Sequence, residues 1–139
     1  MAAKDVFHDA VRRALVKDGW TITHDPLRLQ VDDDIRALID LGAEKLIGAE
    51  REGEFIGVEI KSFISESMFY EFHLALGQFL NYRALLSTAE PKRVLYLAVP
   101  DAIYESFFTR RFVKGMIASQ DLQLLVFDAK TEVIVKWIK

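Results

Sequence analysis

Apolar residues along the chain recur with two periods, and the alternation between them predicts the order of elements. From Asp5 to Asp18, Val6, Ala10, Val11, Ala14 and Leu15 fall at helical spacing and Gly19 supplies a stop, so an amphipathic helix opens the chain. Trp20-Thr21-Ile22-Thr23 is β-rich and runs into His24-Asp25-Pro26, which predicts a short strand and a turn. Residues 27–41 carry both loop and helix or strand signals, with Asp32-Asp33-Asp34 followed by Ile35-Arg36-Ala37-Leu38-Ile39, and the pattern leaves them open. Lys45–Arg51 and Phe55–Phe63 read as two strands joined at Glu52-Gly53-Glu54, a hairpin. Met68–Leu86 has helical periodicity over its whole length and predicts the longest helix. Arg93–Val99 is nearly all apolar, as expected of a strand buried on both faces. A helix over Ala102–Ala118 and strands at Leu122–Phe127 and Val133–Ile138, joined by a turn at Asp128-Ala129-Lys130-Thr131, complete the pattern. The order α, β, ββ, α, β, α, ββ predicts a mixed α/β architecture with helices on a central sheet.

Composition narrows this picture. At 139 residues with 51% hydrophobic side chains, the chain is expected to form a single domain, 1–139, with a substantial core. A net charge of −3 argues against a uniformly basic nucleic-acid surface. Without cysteine there are no disulfides, thiolate metal sites or thiol nucleophiles, and His8, His24 and His73 lack zinc-ligand spacing. No apolar run approaches the roughly 18 residues needed to span a bilayer, and the charged opening Met1–Asp5 is unlike a signal peptide, so a soluble, cytoplasmic protein is expected.

The hairpin carries the candidate chemistry. Glu59 and Lys61 are two apart on the second strand and project to one face. A two-residue loop at Glu52-Gly53 pairs Leu46 with Glu59 and brings Glu44 opposite Lys61, so two carboxylates and an amine converge; a three-residue loop sends Glu44 to the other face. Asp40 competes with Glu44 for the first acidic position, whereas Glu50 sits beside the turn, far from Lys61. Glu44 or Asp40 together with Glu59 suits Mg²⁺ or Mn²⁺, and Lys61 would orient a nucleophile or meet developing charge, a set fitted to phosphodiester hydrolysis. Gln78 and Tyr82 share a face of the following helix and are placed to support the lysine or the substrate. The competing reading is a solvated strand face with an ordinary helix packed behind it. Arg12, Arg13 and Lys17, and separately Arg110, Arg111 and Lys114, are candidate phosphate contacts or plain solvated helix faces. Tyr104, Phe107, Phe108 and Phe112 are more aromatic surface than a short helix needs, which points to core packing or to a partner, including a second copy.

Glu59-Ile60-Lys61 after an acid and a hairpin, followed by Gln78-Phe79-Leu80-Asn81-Tyr82, resembles the PD-(D/E)xK, or restriction-endonuclease-like, superfamily and the QxxxY motif of its RecB-type branch. Asp9 lies where that superfamily's first helix brings an acid toward the site. The proline-acid pair expected before the hairpin is replaced by Ala43-Glu44. A resemblance covering nearly the whole chain rests on Met1–His8, Asp18–Leu27, Asp40–Ile47 and Val94–Pro100, which are similar to the XisH family of cyanobacteria, named as fdxN element excision controlling factors. That resemblance implies a role in programmed DNA rearrangement, acting on DNA beside a site-specific recombinase and a small XisI-type partner, either as a nuclease or as an inactive accessory protein of nuclease fold.

Overall fold

In the computed structural model, residues 3–28, 46–64 and 66–139 are described. Helix α1 (Ala3–Lys17) leads into β1 (Thr21–His24); β2 (Leu46–Arg51) and β3 (Glu54–Ile60) form the hairpin; α2 (Met68–Ala89) crosses to β4 (Arg93–Pro100). A helical turn α3 (Asp101–Ile103) continues as a π-helical turn, Tyr104–Phe108, and α4 (Arg111–Ser119) leads to β5 (Leu124–Asp128) and β6 (Val133–Ile138). Among the described residues, six strands form one sheet in chain order. β3, β4 and β5 run parallel at its centre, with antiparallel pairing at β1/β2, β2/β3 and β5/β6. The two crossovers carry α2 and α4, whose buried residues share one core with the Leu46, Leu97 and Leu124 face of the sheet; α1 covers the other face through Ala10, Val11 and Leu15. The result is a mixed α/β sheet of restriction-endonuclease-like architecture. Among the described residues, no helix is long and apolar enough to cross a membrane.

The hairpin register follows from its turn. Glu52 and Gly53 both have positive φ, 51° and 84°, the signature of the type I′ turn whose twist suits a two-residue hairpin. Arg51 therefore pairs with Glu54 and Leu46 with Glu59, the register expected of the two-residue loop. The Asp128–Thr131 turn forms as expected: the Asp128 carboxylate accepts hydrogen bonds from the N–H groups of Lys130 (2.8 Å) and Thr131 (3.3 Å), which hold its pKa below the usual range.

Two elements depart from the sequence reading. β3 stops at Ile60 rather than Phe63, because Phe63 takes φ 54° and turns the chain toward α2. The single helix expected over Ala102–Ala118 is broken at Thr109 and Arg110, with Arg110 in an extended conformation. The wide π turn and this break let the adjacent Phe107 and Phe108 bury together with Val113, which a regular helix of that length would spread over two faces.

Candidate active site

Register places Leu46, Glu59, Leu97, Leu124 and Ile138 in one row across five strands, on the face covered by α2. Glu59 is the only charged member of that row and is 1% exposed. An isolated carboxylate buried this deeply costs several kcal/mol, of order 5, unless charge or hydrogen bonds offset it. The solvated-face reading therefore fails for Glu59. Lys61 supplies charge: its Nζ lies 3.8 Å from Glu59 Oε1, and its side chain is 12% exposed. The backbone fixes the lysine, because Lys61 N–H donates to Ala98 O (3.1 Å) and continues the β3/β4 ladder one residue past the strand.

Phe63 shapes the exit from this pair. A phenylalanine at φ 54° is uncommon and costs about 1 kcal/mol or more. It is held there by burial, with its ring 5.3 Å from Phe108 in a T-shaped contact and 6.4 Å from Phe107. Sequence offered no sign of this, since nothing in a Phe side chain favours the left-handed region. Its effect is to bring the chain back over the sheet, so that α2 starts at Met68, capped by Ser67 Oγ accepting from Tyr70 N–H (3.2 Å).

α2 then carries Tyr82, the last residue of the QxxxY segment, toward Glu59. Tyr82 is 3% exposed. Its phenol is pushed up to about 12, first by burial and second by the negative charge of Glu59, which places the two groups in one electrostatic environment. Gln78 sits one turn earlier, and its amide oxygen is buried with no hydrogen-bond donor among the described residues. The structure thus gathers Glu59, Lys61 and Tyr82 beside the carboxyl ends of β3 and β4, where open α/β sheets commonly bind ligands, with Gln78 one turn before Tyr82 on α2.

The raised phenol has a stability consequence. A group that keeps its proton longer folded than unfolded contributes stability fully present below about pH 10 and lost as pH rises toward about 12. Tyr96 shifts in the same direction, through burial and then the Glu54 carboxylate. Unfolding free energies from urea titrations between pH 9 and 12 should fall across this window by about 2 kcal/mol for Tyr82 alone, and Tyr82→Phe should flatten the fall. An equally steep fall in Tyr82→Phe would contradict that assignment.

Other expected residues are placed differently. Asp40 and Glu44 lie outside the described residues, and among the described residues no group of three acidic, histidine or cysteine side chains forms a metal cage. Asp9 belongs to α1, whose buried side faces the opposite side of the sheet from Glu59. Glu50 pairs with Phe55 beside the turn. The basic cluster of α1 is spent on tying the helix down: Arg12 binds Asp25, Arg13 binds Glu132 (2.6 Å), and Lys17 Nζ donates to Thr131 O (2.9 Å). His8 joins them, with Nε2 at 2.8 Å from Asp25 Oδ1. Of the aromatic group, Phe107 and Phe108 are core, whereas Phe112 is 59% exposed and leans on the exposed Phe69 (centroids 5.8 Å apart).

The fold and this site define a restriction-endonuclease-like α/β domain with a buried ExK pair. The chain belongs to the XisH family, whose sequence profile, described as "XisH protein", matches residues 1–135. Two solved structures support this. A crystal structure of an XisH family protein from Nostoc punctiforme PCC 73102 is 50% identical, covering 97% of this chain and 100% of its own, with a TM-score of 0.87. That of an fdxN element excision controlling factor protein from Anabaena variabilis is 48% identical, covering 97% of this chain and 99% of its own, with a TM-score of 0.86. No curated protein matches the chain.

Proposed function

We propose that this XisH protein is an Mg²⁺- or Mn²⁺-dependent DNA endonuclease acting in the excision event after which its Anabaena variabilis relative is named. The observation that carries this reading is the burial of Glu59 within an otherwise apolar row, beside Lys61. A solvated charge pair would not be built there, and a structural one is commonly replaceable by apolar residues at no loss of stability. The described residues fit such an ion in one respect: Glu59 supplies a hard oxygen donor, and Mg²⁺ needs only one or two carboxylates because it keeps several waters. Glu59 would hold the ion with Glu44 or Asp40. When bound, the ion supplies Lewis acidity toward the phosphate and lowers the pKa of water.

The chain's own residues then have separable tasks. Lys61, fixed by its backbone hydrogen bond to Ala98, orients the attacking water and meets the charge that develops on the phosphate oxygens. Gln78, with its buried amide oxygen, and Tyr82 position the lysine from α2. Water adds to phosphorus, the bond to the leaving sugar oxygen breaks, and that oxygen takes up a proton. Cleavage assays with Mg²⁺ or Mn²⁺ on single-stranded, double-stranded and branched DNA check this directly. Wild type is expected to cut at least one of them, and Lys61→Ala to cut at least about 100-fold more slowly. Cutting unchanged in Lys61→Ala would remove the lysine from the mechanism.

A second reading, an inactive accessory protein that binds a small XisI-type partner and a site-specific recombinase, is favoured by a different surface. The outer side of α2 exposes Phe69, Tyr70 and Leu74, and Phe69 meets the exposed Phe112 of α4. Exposed aromatic side chains grouped in this way are enriched at protein interfaces. The same assays separate the two readings: a folded protein that cuts none of the substrates with its partner present would be the accessory.

A further inference from the structure

We propose a second binding site, for a phosphate-bearing organic anion of nucleotide size, in the cavity between α2, α4 and the β6 edge. This cavity has a volume of about 610 Å³, within the range of small-molecule sites. Its wall is apolar, formed by the part-exposed Tyr104, Ile117 and Ile138 over the buried Phe108, and its rim is cationic, with the side chains of Arg83, Lys114 and Lys139 against one acidic side chain, Asp121. A fourth cation stands next to it: Lys136, on the same face of β6 as Ile138, holds its Nζ 4.1 Å above the Tyr104 ring. A chain of net charge −3 thus collects four of its cations around one opening.

Arg83 is held in place for this role. Its Nη1 donates to Gln120 O (2.8 Å) and Asp121 O (3.0 Å), and its guanidinium lies 5.4 Å from the Phe79 ring centroid. These contacts fix the plane of the guanidinium, so that a ligand need not bear the entropy of ordering it. The remaining N–H groups of the same fork are the donors it offers. The charge count separates ligand classes. A carboxylate brings one negative charge, whereas a phosphate monoester brings nearly two and matches a rim that keeps a net surplus of cations after Asp121 is counted. The apolar wall calls for a flat, weakly polar body attached to that phosphate. A mononucleotide has both parts, whether free or as the phosphorylated end of a strand. This site stands apart from the Glu59 pair and does not depend on the nuclease reading.

The test is calorimetric titration of the full chain with four probes: deoxyadenosine 5′-monophosphate, deoxyadenosine, inorganic phosphate and a 5′-phosphorylated oligonucleotide. The monophosphate is expected to bind at least about tenfold more tightly than deoxyadenosine or inorganic phosphate, because it alone engages wall and rim together. Lys114→Glu, an exposed substitution that leaves the core untouched, should weaken it by at least about tenfold, and Glu59→Gln should leave it unchanged. Oligonucleotide binding that is tighter than that of the free monophosphate and is weakened by Lys114→Glu identifies a strand end as the source, and tighter binding of the monophosphate a free nucleotide; either supports the site. No binding of the monophosphate in the millimolar range, equal binding of deoxyadenosine, or indifference to Lys114→Glu overturns it.

Discussion

Glu59→Gln is expected to lower DNA cleavage by at least about 100-fold while leaving the protein folded. The amide keeps the shape of the side chain in its 1%-exposed position, so no cavity opens between Leu46 and Leu97. It removes the formal charge, and with it the anionic donor that a divalent ion prefers and the attraction to Lys61 Nζ at 3.8 Å. Losing an outer-shell group of a metal site typically costs about 10–100-fold, and losing a direct ligand should cost more. Kinetics and thermal unfolding measured on one preparation check this. A cooperative unfolding transition still present, with activity gone, is the expected pair of results; full activity in Glu59→Gln would mean that the buried carboxylate serves the fold alone.

The largest effect on stability is expected at Phe108. It is fully buried and touches Phe63, Phe72, Tyr104 and Phe107 at ring separations between 5.3 and 6.3 Å. Truncating such a ring removes its apolar burial and leaves a cavity, together about 3–5 kcal/mol, so Phe108→Ala should lower Tm by about 10 °C or more. Phe112→Ala, four residues along and 59% exposed, should change stability by less than about 0.5 kcal/mol. The first substitution also reaches the site. Phe108 is the wall against which Phe63 holds its φ of 54°, two residues after Lys61. Its loss should therefore slow cleavage even below the unfolding transition. Equal stability losses at the two positions would show that the π turn does not anchor the core.

Much of this fold is legible in the sequence because the strongest signals are local. The hairpin register follows from two residues, Glu52 and Gly53, and it correctly sets Leu46 against Glu59. The run Leu95–Val99 reads as a buried strand because β4 is central among the described strands and covered on both faces. What was not legible depends on tertiary context. A helical period over Ala102–Ala118 cannot reveal that the chain breaks at Thr109 to bury Phe107 and Phe108 side by side. The positive φ of Phe63 likewise runs against its local preference and exists only because Phe107 and Phe108 enclose its ring. At the candidate site, spacing indicated that Glu59 and Lys61 share a face, but not that Glu59 is buried. Alternation alone reads equally well as a solvated strand, and the apolar row formed by distant strands decides between the two.

Similar logic accounts for the basic residues. Arg12, Arg13 and Lys17 form a stripe that sequence reads as solvent-facing or phosphate-binding. Their partners, Asp25, Glu132 and the Thr131 carbonyl, come from turns just over a hundred residues apart in sequence. Partly exposed pairs of this kind contribute at most about 1 kcal/mol each, so they orient α1 more than they stabilise it.

The central claim is that Glu59 is a metal ligand rather than a structural charge. Calorimetric titration of Mn²⁺ into wild type and into folded Glu59→Gln tests it without requiring knowledge of the DNA substrate. Saturable binding is expected in wild type and its loss in Glu59→Gln. Equal binding in both proteins, or none in either, would contradict it.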